Sequence, residues 1–478
     1  MKYMTPILLA GGTGKRLWPL SRKNYPKQFT KITQGETLFQ QSALRFMSSK
    51  HIHFKNQITV TNSSFRFIVH EQLINIGKDP GLILIEPEAK NTAAAIIAAT
   101  IFEFKNNSDA IMIATPSDHI ISDKIYFNEI ITSCLEAVDN GNIVTFGITP
   151  THPETGYGYL KLELTDKLGP KRVLSFVEKP NKKSAYKMFS QNNYFWNSGI
   201  FLFRAKDLIN AYNLHAKDIL TSVEKAINKS VKDLDFVRLD PNNWSNIKEI
   251  SIDYAIMEKA NNLVGIPYNS SWTDLGNWDS VWSETKQGEN NISLSKNAHA
   301  IDCKNILLRS ENSGQEIVGL GLKNIVAIAM PDAVLVANKQ KSQDVKKIVD
   351  YLKIQNIRQS EEFPKEHRPW GWFENLCMGQ GFKVKRIFVK QGASLSLQKH
   401  KYRSEHWVIA QGEAKITIDK DVKMGKEGQS FFVPKGKIHR LENPGNNPLI
   451  IIEIQIGSYF GEDDIIRLED IYSRKANM

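Results

Sequence analysis

The sequence is poor in the features that mark secreted, membrane-spanning and disulfide-stabilised proteins. Its 478 residues include only three cysteines, Cys134, Cys303 and Cys377, which lie far apart and without Cys-x-x-Cys spacing. This argues against a disulfide framework and a cysteine-rich zinc site, and it favours a reducing, cytoplasmic setting. No apolar run approaches the roughly 20 residues that span a bilayer, and residues 7–10 are too few for a secretory signal core. We therefore expect a cytoplasmic protein with no membrane partner.

Acidic residues are also in the minority. The chain has 51 Asp and Glu against 62 Lys and Arg, a formal net charge of +11. Nucleic-acid-binding proteins share such a balance, but so do enzymes that act on phosphorylated substrates. The basic residues are scattered, and no arginine-rich arm is present. Charge alone therefore leaves both classes open.

The first ~280 residues alternate apolar, strand-like runs with amphipathic segments. Residues 6–10 and 110–114 read as buried strands, and residues 91–104 carry Ala, Ile and Thr at helical spacing. The order strand, loop, helix, strand predicts a doubly wound α/β sheet. Ligands of such sheets lie beyond the carboxyl ends of the strands, where the loop 11–16 and Asp118 are expected.

The rest of the chain has a different texture. Short apolar runs between turns at 290–350 predict a small β-helical spacer, followed by a helix at 342–357 and a charged linker at 358–368. The last ~110 residues predict closely spaced strands of a compact all-β barrel or jelly roll. We thus expect three domains, at residues 1–285, 286–357 and 358–478.

A glycine-rich loop, Gly11-Gly12-Thr13-Gly14-Lys15-Arg16, follows the first predicted strand. It is not a Walker A loop, because Leu9 stands where the first glycine belongs and Arg16 replaces the Ser or Thr. It is not a dinucleotide fingerprint either, because Leu17 replaces the third glycine. Its glycines still allow backbone N–H groups to approach a polyphosphate. The alternative is a plain strand-to-helix turn with solvated basic residues.

The loop is the first of seven motifs that occur in one order. It continues as Leu17-Trp18-Pro19-Leu20-Ser21 and then Pro26-Lys27-Gln28-Phe29. The later motifs are Glu86-Pro87 with Asn91-Thr92, then 116–119, 155–159, 176–180, 196–199 and 272–278. This set resembles the sugar-1-phosphate nucleotidyltransferases, and in particular the mannose-1-phosphate guanylyltransferases. The resemblance implies a Rossmann-like transferase domain and transfer of GMP from GTP to mannose 1-phosphate.

The resemblance also implies a role for each matched residue. Arg16 and Lys27 would hold the triphosphate, Lys179 the sugar phosphate, and Asp118 and Asp274 a magnesium ion. The nucleotide-binding set is Gly11, Gly12, Gly14, Lys15, Arg16, Lys27 and Asn91, and the sugar-phosphate set is Gly156, Tyr157, Glu178, Lys179 and Asn197. These residue types suit the chemistry, because nucleotidyl transfer brings two polyanions together and depends on positioning and charge neutralisation.

The final domain carries a second set of motifs. Gln398, His400, Glu405 and His439, with their flanking glycines, resemble the metal-binding motifs of cupins, although cupins usually have His where Gln398 stands. The string 398–407 is similar to the signature of type II phosphomannose isomerases that follow a guanylyltransferase. The fold implied is therefore α/β, with a Rossmann-like transferase domain, a short left-handed β-helix-like spacer and a C-terminal all-β cupin barrel.

For the barrel, the resemblance implies interconversion of mannose 6-phosphate and fructose 6-phosphate with a divalent metal, Zn²⁺ or similar. Gln398, His400, Glu405 and His439 would be its ligands, with Arg403 near the substrate and Glu405 or His406 as the base. Lys383, Lys385 and Arg386 could contact the substrate phosphate, but a solvated strand face is the favoured interpretation.

The leading hypothesis is a bifunctional enzyme of GDP-mannose and polysaccharide biosynthesis. Its partners would be GTP, mannose 1-phosphate and the two hexose 6-phosphates, and a homo-oligomer is compatible with it. The first alternative is a guanylyltransferase whose cupin domain is regulatory or structural. A nucleic-acid-binding protein, suggested by charge alone, is disfavoured because acidic metal ligands are interspersed among the basic motifs.

Overall fold

The computed structural model describes residues 1–12, 14–33, 35–165, 169–285, 287–469 and 472. The chain divides into two units, Met1–Glu361 and Glu362–Met478. The β-helical segment therefore belongs to the same unit as the α/β sheet. Among the described residues, no helix is both long enough and apolar enough to cross a membrane.

A twelve-stranded sheet forms the centre of the first unit, and a two-stranded sheet of β14 and β6 lies apart from it. The strands are β1 (Lys2–Leu9), β2 (Ile52–Phe54), β3 (Ile58–Asn62), β4 (Leu82–Glu86), β5 (Ile111–Pro116), β6 (Ile120–Ile121), β7 (Ile143–Ile148), β8 (Tyr159–Leu162), β9 (Lys171–Val177), β10 (Tyr194–Arg204), β11 (Val231–Asp233), β12 (Phe236–Arg238), β13 (Leu263–Tyr268) and β14 (Trp272–Thr273). The order in the large sheet is β11-β12-β4-β3-β1-β5-β10-β7-β13-β9-β8, with β2 beside β1. The central pairs β12–β4–β3–β1–β5 are parallel, so the carboxyl ends of β1, β3, β4 and β5 meet at one edge.

Helices cover both faces of this sheet. They are α1 (Leu38–Leu44), α2 (Arg66–Ile74), α3 (Asn91–Phe104), α4 (Lys124–Ser133), α5 (Leu135–Asp139), α6 (Lys182–Phe189), α7 (Ala205–His215), α8 (Lys217–Asn228), α9 (Pro241–Ser245) and α10 (Trp278–Glu284). The predicted helix at 91–104 is confirmed as α3, whose small residues Ala93 to Ala99 are almost entirely buried. Such residues let a helix approach the sheet closely, and α3 packs in one core cluster with α7 and α8.

The β-helical segment consists of short parallel coils. Its strands are β15 (Ile292–Leu294), β16 (Ala298–Ile301), β17 (Ile306–Ser310), β18 (Ile317–Leu320), β19 (Ile325–Ala329) and β20 (Val334–Asn338). β15, β17 and β19 form one parallel row and β16 and β18 another, with β20 antiparallel to β19. The helix predicted at 342–357 is shorter: a 3₁₀ segment, Lys339–Asp344, precedes α11 (Val345–Ile354).

These coils are tied to the segment that follows the glycine-rich loop. The buried guanidinium of Arg22 forms a bidentate ion pair with Asp332, with both N–O distances at 2.6 Å. The Trp18 indole donates to the Gln359 carbonyl at 2.8 Å, and its own carbonyl accepts from Trp278 at 2.9 Å. The loop is therefore anchored at its far end by residues more than 250 positions away.

The second unit is a barrel of two antiparallel sheets. Its strands are β21 (Lys365–Arg368), β22 (Gly371–Gly379), β23 (Phe382–Val389), β24 (Leu397–His400), β25 (Arg403–Gln411), β26 (Glu413–Ile418), β27 (Asp421–Lys426), β28 (Ser430–Val433), β29 (His439–Glu442), β30 (Leu449–Gly457) and β31 (Ile465–Glu469). The sheet orders are β21-β22-β23-β30-β25-β28 and β27-β26-β29-β24-β31. The expected linker at 358–368 is partly wrong, because β21 already belongs to the barrel.

Candidate active sites

The first candidate site is a cavity of about 260 Å³ at the carboxyl edge of the large sheet. It is lined by the ends of β1 and β5, the start of α3 and the loops around Tyr157 and Asp274. Of the predicted site residues, this cavity is lined by Asn91, Gly156, Tyr157, Glu178, Lys179, Asn197 and Asp274. With Pro116 and His119, residues from six of the seven motifs line this cavity, whereas Lys27, Asp118 and the glycine-rich loop are not among its lining residues.

Lys27 connects the two predicted magnesium ligands. Its ammonium lies 3.0 Å from a carboxylate oxygen of Asp118 and also donates to the backbone carbonyl of Asp274. The Tyr157 hydroxyl donates to the Asp274 carboxylate at 2.7 Å. Burial raises the pKa of Asp118, but Lys27 and His119 more than offset this, so the pKa lies below its usual value. Asp118 is therefore ionised at neutral pH.

The glycine-rich loop runs along one side of this arrangement. Gly14 has a φ of +24°, and a Cβ there would meet the Lys27 side chain at 3.0 Å. The Arg16 side chain is exposed, as is Gly12. Thr13 and the side chain of Lys15 lie outside the described residues. The close approach of Gly14 to Lys27 explains why a residue without a side chain stands at that position.

A buried carboxyl group, Glu86, lies beside the loop and was given no role in the sequence analysis. A Cβ on Gly11 would lie 3.3 Å from Glu86 Oε2, and within the described chain Glu86 Oε1 has no hydrogen-bond partner. Burial raises the pKa of Glu86 to about 8. A buried carboxyl oxygen without a hydrogen-bond partner, beside the glycine-rich loop, can accept a hydrogen bond from a ligand.

The predicted sugar-phosphate residues form the opposite wall. The Lys179 ammonium lies 3.0 Å from the Glu178 carboxylate. Burial lowers the pKa of Lys179, but the hydrogen bond that its ammonium donates to the Glu178 carboxylate outweighs this effect and raises the pKa above its usual value. Asn197 accepts a hydrogen bond from the Thr145 hydroxyl at 2.8 Å. The Gly156 N–H donates to Glu154 at 2.7 Å.

A segment that the sequence analysis missed, residues 250–258, packs against both walls. It contains a single π-helical turn, Asp253–Met257, a conformation that is frequent at functional sites. Asp253 lines the cavity and accepts a hydrogen bond from the Asn197 amide at 2.9 Å. Burial and the neighbouring Glu178 raise the pKa of Asp253 to about 6. No residue spacing in the sequence marks this turn.

The second candidate site lies inside the barrel. The ligand atoms of His400, Glu405 and His439 lie within 4.8 Å of one another, and all three side chains are almost fully buried. One Glu405 oxygen is 3.1 Å from His400 Nε2, and the other is 3.6 Å from His439 Nε2. Although burial raises it, contact with these histidines and with Arg403 holds the pKa of Glu405 well below its usual value.

The state of His439 suits a metal ligand. Its Nδ1 lies 3.0 Å from the Lys437 carbonyl, which fixes the proton on Nδ1, and among the described residues its Nε2 has no hydrogen-bond partner. Two buried imidazoles and one carboxylate form a donor set typical of divalent transition metals. Gln398 and Glu405 line a cavity inside the barrel, and Gln398 is the register partner of His439.

Two predictions about neighbouring side chains require correction or restriction. β25 alternates, so Arg403, Glu405 and Trp407 face the interior while His406 packs on the outer face, 4.6 Å from the Phe432 ring. His406 is therefore wrong as a candidate base. Arg403 is buried and donates to Glu405 at 3.2 Å and to Asp464 at 3.4 Å. The ionic partners of Arg403 are thus carboxylates of the protein itself, and its predicted place near the substrate stays a prediction.

The expectation of a solvated lysine face on β23 is also wrong. Lys383 and Lys385 point inward and are 9% and 5% exposed, and only Arg386 is on the outer face, paired with Glu374. Lys385 lines the cavity and lies 3.1 Å from Glu462 and 3.9 Å from Glu453. Burial lowers the pKa of Lys383 to about 8, and burial with the nearby Glu405 raises that of Glu453 to about 8.

Comparisons with known proteins cover almost the whole chain. The nucleotidyl transferase family matches residues 5–291, the MannoseP isomerase/GMP-like β-helix domain matches 296–352, and the mannose-6-phosphate isomerase C-terminal family matches 355–470. The xanthan biosynthesis protein XanB of Xanthomonas campestris pv. campestris is 40% identical over 99% of this chain and 100% of its own length. The mannose-1-phosphate guanylyltransferase of Salmonella montevideo is 39% identical over 98% and 100%. A crystal structure described as a mannose-1-phosphate geranyltransferase from Thermus thermophilus matches 74% of this chain and all of its own, with a TM-score of 0.63 and 26% identity.

Proposed function

This chain belongs to the bifunctional GDP-mannose pyrophosphorylase and mannose-6-phosphate isomerase family, and we propose from that membership which residues carry each reaction. The first unit is a nucleotidyltransferase of the mannose-1-phosphate guanylyltransferase type, and the second is the isomerase domain. The domain boundaries that we propose are 285/286 and 357/358. A homo-oligomer and the product's pathway stay predictions.

In the proposed transferase reaction, a phosphate oxygen of mannose 1-phosphate attacks the α-phosphorus of GTP. The bond from that phosphorus to the β-phosphate bridging oxygen breaks, which releases pyrophosphate and GDP-mannose. No side-chain nucleophile is needed, since the substrate itself attacks, and the protein supplies position and positive charge. Lys27 and Arg16 meet the triphosphate, and the N–H groups of the loop 11–16 approach it. Asn91, at the start of α3, lines the cavity and is proposed to contact the nucleotide.

Asp118 and Asp274 are the proposed magnesium ligands. Both contact Lys27, Asp118 is held ionised, and Asp274 lines the cavity, so each can offer a hard oxygen donor of the type that Mg²⁺ prefers. Bound Mg²⁺ would supply charge neutralisation on the phosphates. Lys27 competes for the same carboxylate, and we expect its ammonium to turn toward the triphosphate when the nucleotide enters.

Lys179 is the proposed partner of the sugar phosphate, and Glu178, Gly156, Tyr157 and Asn197 of the mannose ring. Glu178 is 7% exposed and is held by Lys179, so its carboxylate is fixed beside the cavity as a hydrogen-bond acceptor. The Tyr157 hydroxyl is engaged by Asp274, which leaves the ring of Tyr157 as its sugar-facing surface.

Glu86 supports the guanine specificity that we propose. Guanine presents two neighbouring donors, N1–H and the N2 amino group, and ionised Glu86 would accept both, so guanine binding would have to displace the proton that burial favours. Oε1 of Glu86 lacks a hydrogen-bond partner in the described chain, and Oε2 lies beside Gly11 in the nucleotide loop. A base without these donors would leave the buried carboxyl group unsatisfied, at a cost of about 1–3 kcal/mol.

For the isomerase, His400, Glu405, His439 and Gln398 are the proposed ligands of a divalent metal, Zn²⁺ or similar. The bound metal would polarise the substrate carbonyl and its neighbouring hydroxyl. Arg403 holds Glu405 in position, and Glu405 is the remaining candidate base because His406 faces outward. Lys385 brings a buried cation to the cavity for the anionic substrate.

The observation that carries the transferase proposal is the convergence of six separate motifs on one cavity. Pyrophosphate release from GTP, UTP, CTP and dTTP with mannose 1-phosphate tests it, and GTP should be strongly preferred. The isomerase proposal rests on the buried His–Glu–His set. Turnover of mannose 6-phosphate with added metal should be lost in His400→Ala. Intact metal binding without wild-type turnover would favour a regulatory or structural barrel instead.

A further inference from the structure

Residues 250–258 join the nucleotide side of the transferase cavity to its sugar side. Toward α3, the Ile252 N–H donates to the Thr92 hydroxyl at 2.9 Å and the Ala93 N–H to the Ile250 carbonyl at 3.3 Å. Toward the sugar side, the Glu178 N–H donates to the Glu258 carboxylate at 3.1 Å. The segment is therefore held from both ends, and Asp253 lies between these anchors.

Asp253 is hydrogen-bonded to the side-chain amide of Asn197, and the neighbours of that amide determine which way it faces. Asn197 Oδ1 accepts from the Gly199 N–H at 3.3 Å and from the Thr145 hydroxyl at 2.8 Å. A backbone N–H can only donate, so the oxygen of the amide must face it. The nitrogen therefore donates to Asp253, at 2.9 Å. Asp253, Thr145 and the Gly199 N–H thus together hold the Asn197 amide in one orientation at the cavity wall.

The charges around Asp253 suit one class of ligand. Asp253 and Glu178 bring two carboxyl groups to the cavity and Lys179 brings one ammonium, and each influences the pKa of a neighbour. A carboxylate repels a phosphate but accepts hydrogen bonds from hydroxyl groups. The Lys179 ammonium, in contrast, attracts a phosphate. A hexose 1-phosphate, with hydroxyls on the ring and a dianion at one end, matches both.

We propose that Asp253 is a specificity-determining, sugar-binding residue of the transferase, whose carboxylate accepts hydrogen bonds from ring hydroxyls of the hexose 1-phosphate while it orients the Asn197 amide toward the same ring. This inference rests on the transferase function proposed above. It assigns to the π-helical turn a direct part in substrate selection. GTP makes no contact with Asp253 in this scheme, so the two substrates should respond differently to its loss.

The test compares Asp253→Asn with the full-length wild-type protein. Steady-state kinetics should show KM for mannose 1-phosphate raised by roughly ten- to a hundredfold, as expected for losing hydrogen bonds to a charged group, with KM for GTP almost unchanged. The preference for mannose 1-phosphate over glucose 1-phosphate, its C2 epimer, should shrink. Asp253→Glu should restore part of the affinity. Asp240→Asn, which exchanges one helix-capping residue for another, is the matched control and should behave as wild type.

Calorimetric titration of mannose 1-phosphate and thermal unfolding separate binding from folding. A weaker sugar affinity at an unchanged unfolding temperature supports the inference. If KM for GTP rises in parallel, or if the sugar KM and the epimer preference are unchanged, Asp253 is only structural and the inference is wrong. If the wild-type protein itself releases no pyrophosphate from GTP and mannose 1-phosphate, the transferase proposal fails, and that result is seen before any variant is examined.

Discussion

The ion pair between Arg22 and Asp332 allows a quantitative test of how the β-helical coils support the glycine-rich loop. We consider three variants: Asp332→Asn, Arg22→Met and the double substitution. The Arg22 side chain is fully buried, whereas the Asp332 side chain is 20% exposed. Water can therefore reach the carboxylate but not the guanidinium. The two single substitutions remove the same pair and should nevertheless differ in cost.

Asp332→Asn removes the carboxylate charge from a bidentate ion pair whose guanidinium is fully buried. Removing one partner of a buried pair costs about 3–5 kcal/mol, and the remaining amide oxygen recovers roughly 1 kcal/mol as a hydrogen-bond acceptor. We expect a net loss of about 2–4 kcal/mol. Arg22→Met leaves a carboxylate that can turn to water, so about 1–2 kcal/mol is expected, including the hydrogen bond to the Pro19 carbonyl. The double variant should be more stable than Asp332→Asn, because it removes the buried guanidinium charge together with the carboxylate.

Hydrogen exchange read by mass spectrometry measures these costs locally, on peptides around residues 15–30 and 325–340. KM for GTP should rise in Asp332→Asn, because the Ser21 hydroxyl donates to the Gly14 carbonyl within the loop. Isomerase turnover should stay constant. Asp139→Asn, at the exposed pair with Lys2, is the control and should cost under about 0.5 kcal/mol. If Arg22→Met costs more than Asp332→Asn, or the double variant is the least stable, the argument from burial is refuted.

Three further results are expected. Gly158→Ala places a Cβ 2.4 Å from Glu178 Oε2 and should raise KM for mannose 1-phosphate. Gly12→Ala, whose Cβ would have nothing within 4 Å, is the control and should leave that KM unchanged. Equal KM values for mannose 1-phosphate in the two variants would contradict the predicted steric effect. Glu405→Gln should abolish metal retention, measured by elemental analysis after dialysis, and isomerase turnover while transferase turnover persists; retained metal would remove Glu405 from the ligand set. Glu86→Gln should reduce the preference for GTP over ATP by roughly ten- to a hundredfold, the worth of one buried acceptor, and an unchanged ratio would exclude Glu86 from base recognition.

In the barrel, the two-residue period of the strands predicts which side chains face the site. Three of the four predicted metal ligands, His400, Glu405 and His439, lie together in the structure. His400 and Glu405 are close because they flank one tight turn between β24 and β25, whereas His439 comes from β29. The same period of two puts 403, 405 and 407 on one face and 406 on the other. Applying that alternation to the whole strand would have predicted that His406 faces away from the metal ligands and is not the base. The inward direction of Lys383 and Lys385 follows from the alternation of β23 in the same way.

In the transferase cavity, sequence patterns predict some of the site residues and miss others. Motif order identified its walls, and α3 was predicted from its small apolar residues. The segment 250–258 was missed because nothing in it repeats at a helical or strand period, and its π-helical turn has no sequence signature. Its partners, Thr92 and Glu178, lie about 160 and 80 residues away. A function that depends on hydrogen bonds across such separations becomes visible only when the chain is folded.

Net charge illustrates the same limit for the whole molecule. A formal charge of +11 is compatible with nucleic acid and with small anions alike. The placement of the cations is more informative, since three buried ones lie against carboxylates: Arg22 with Asp332, Lys27 with Asp118 and Arg403 with Glu405. A nucleic-acid surface requires exposed cations that track a backbone. Cations that are buried and interleaved with acids instead discriminate by shape and position, which is what a phosphorylated sugar in a cavity requires. The identity of the anion is therefore set by where the charges are fixed and not by how many the chain carries.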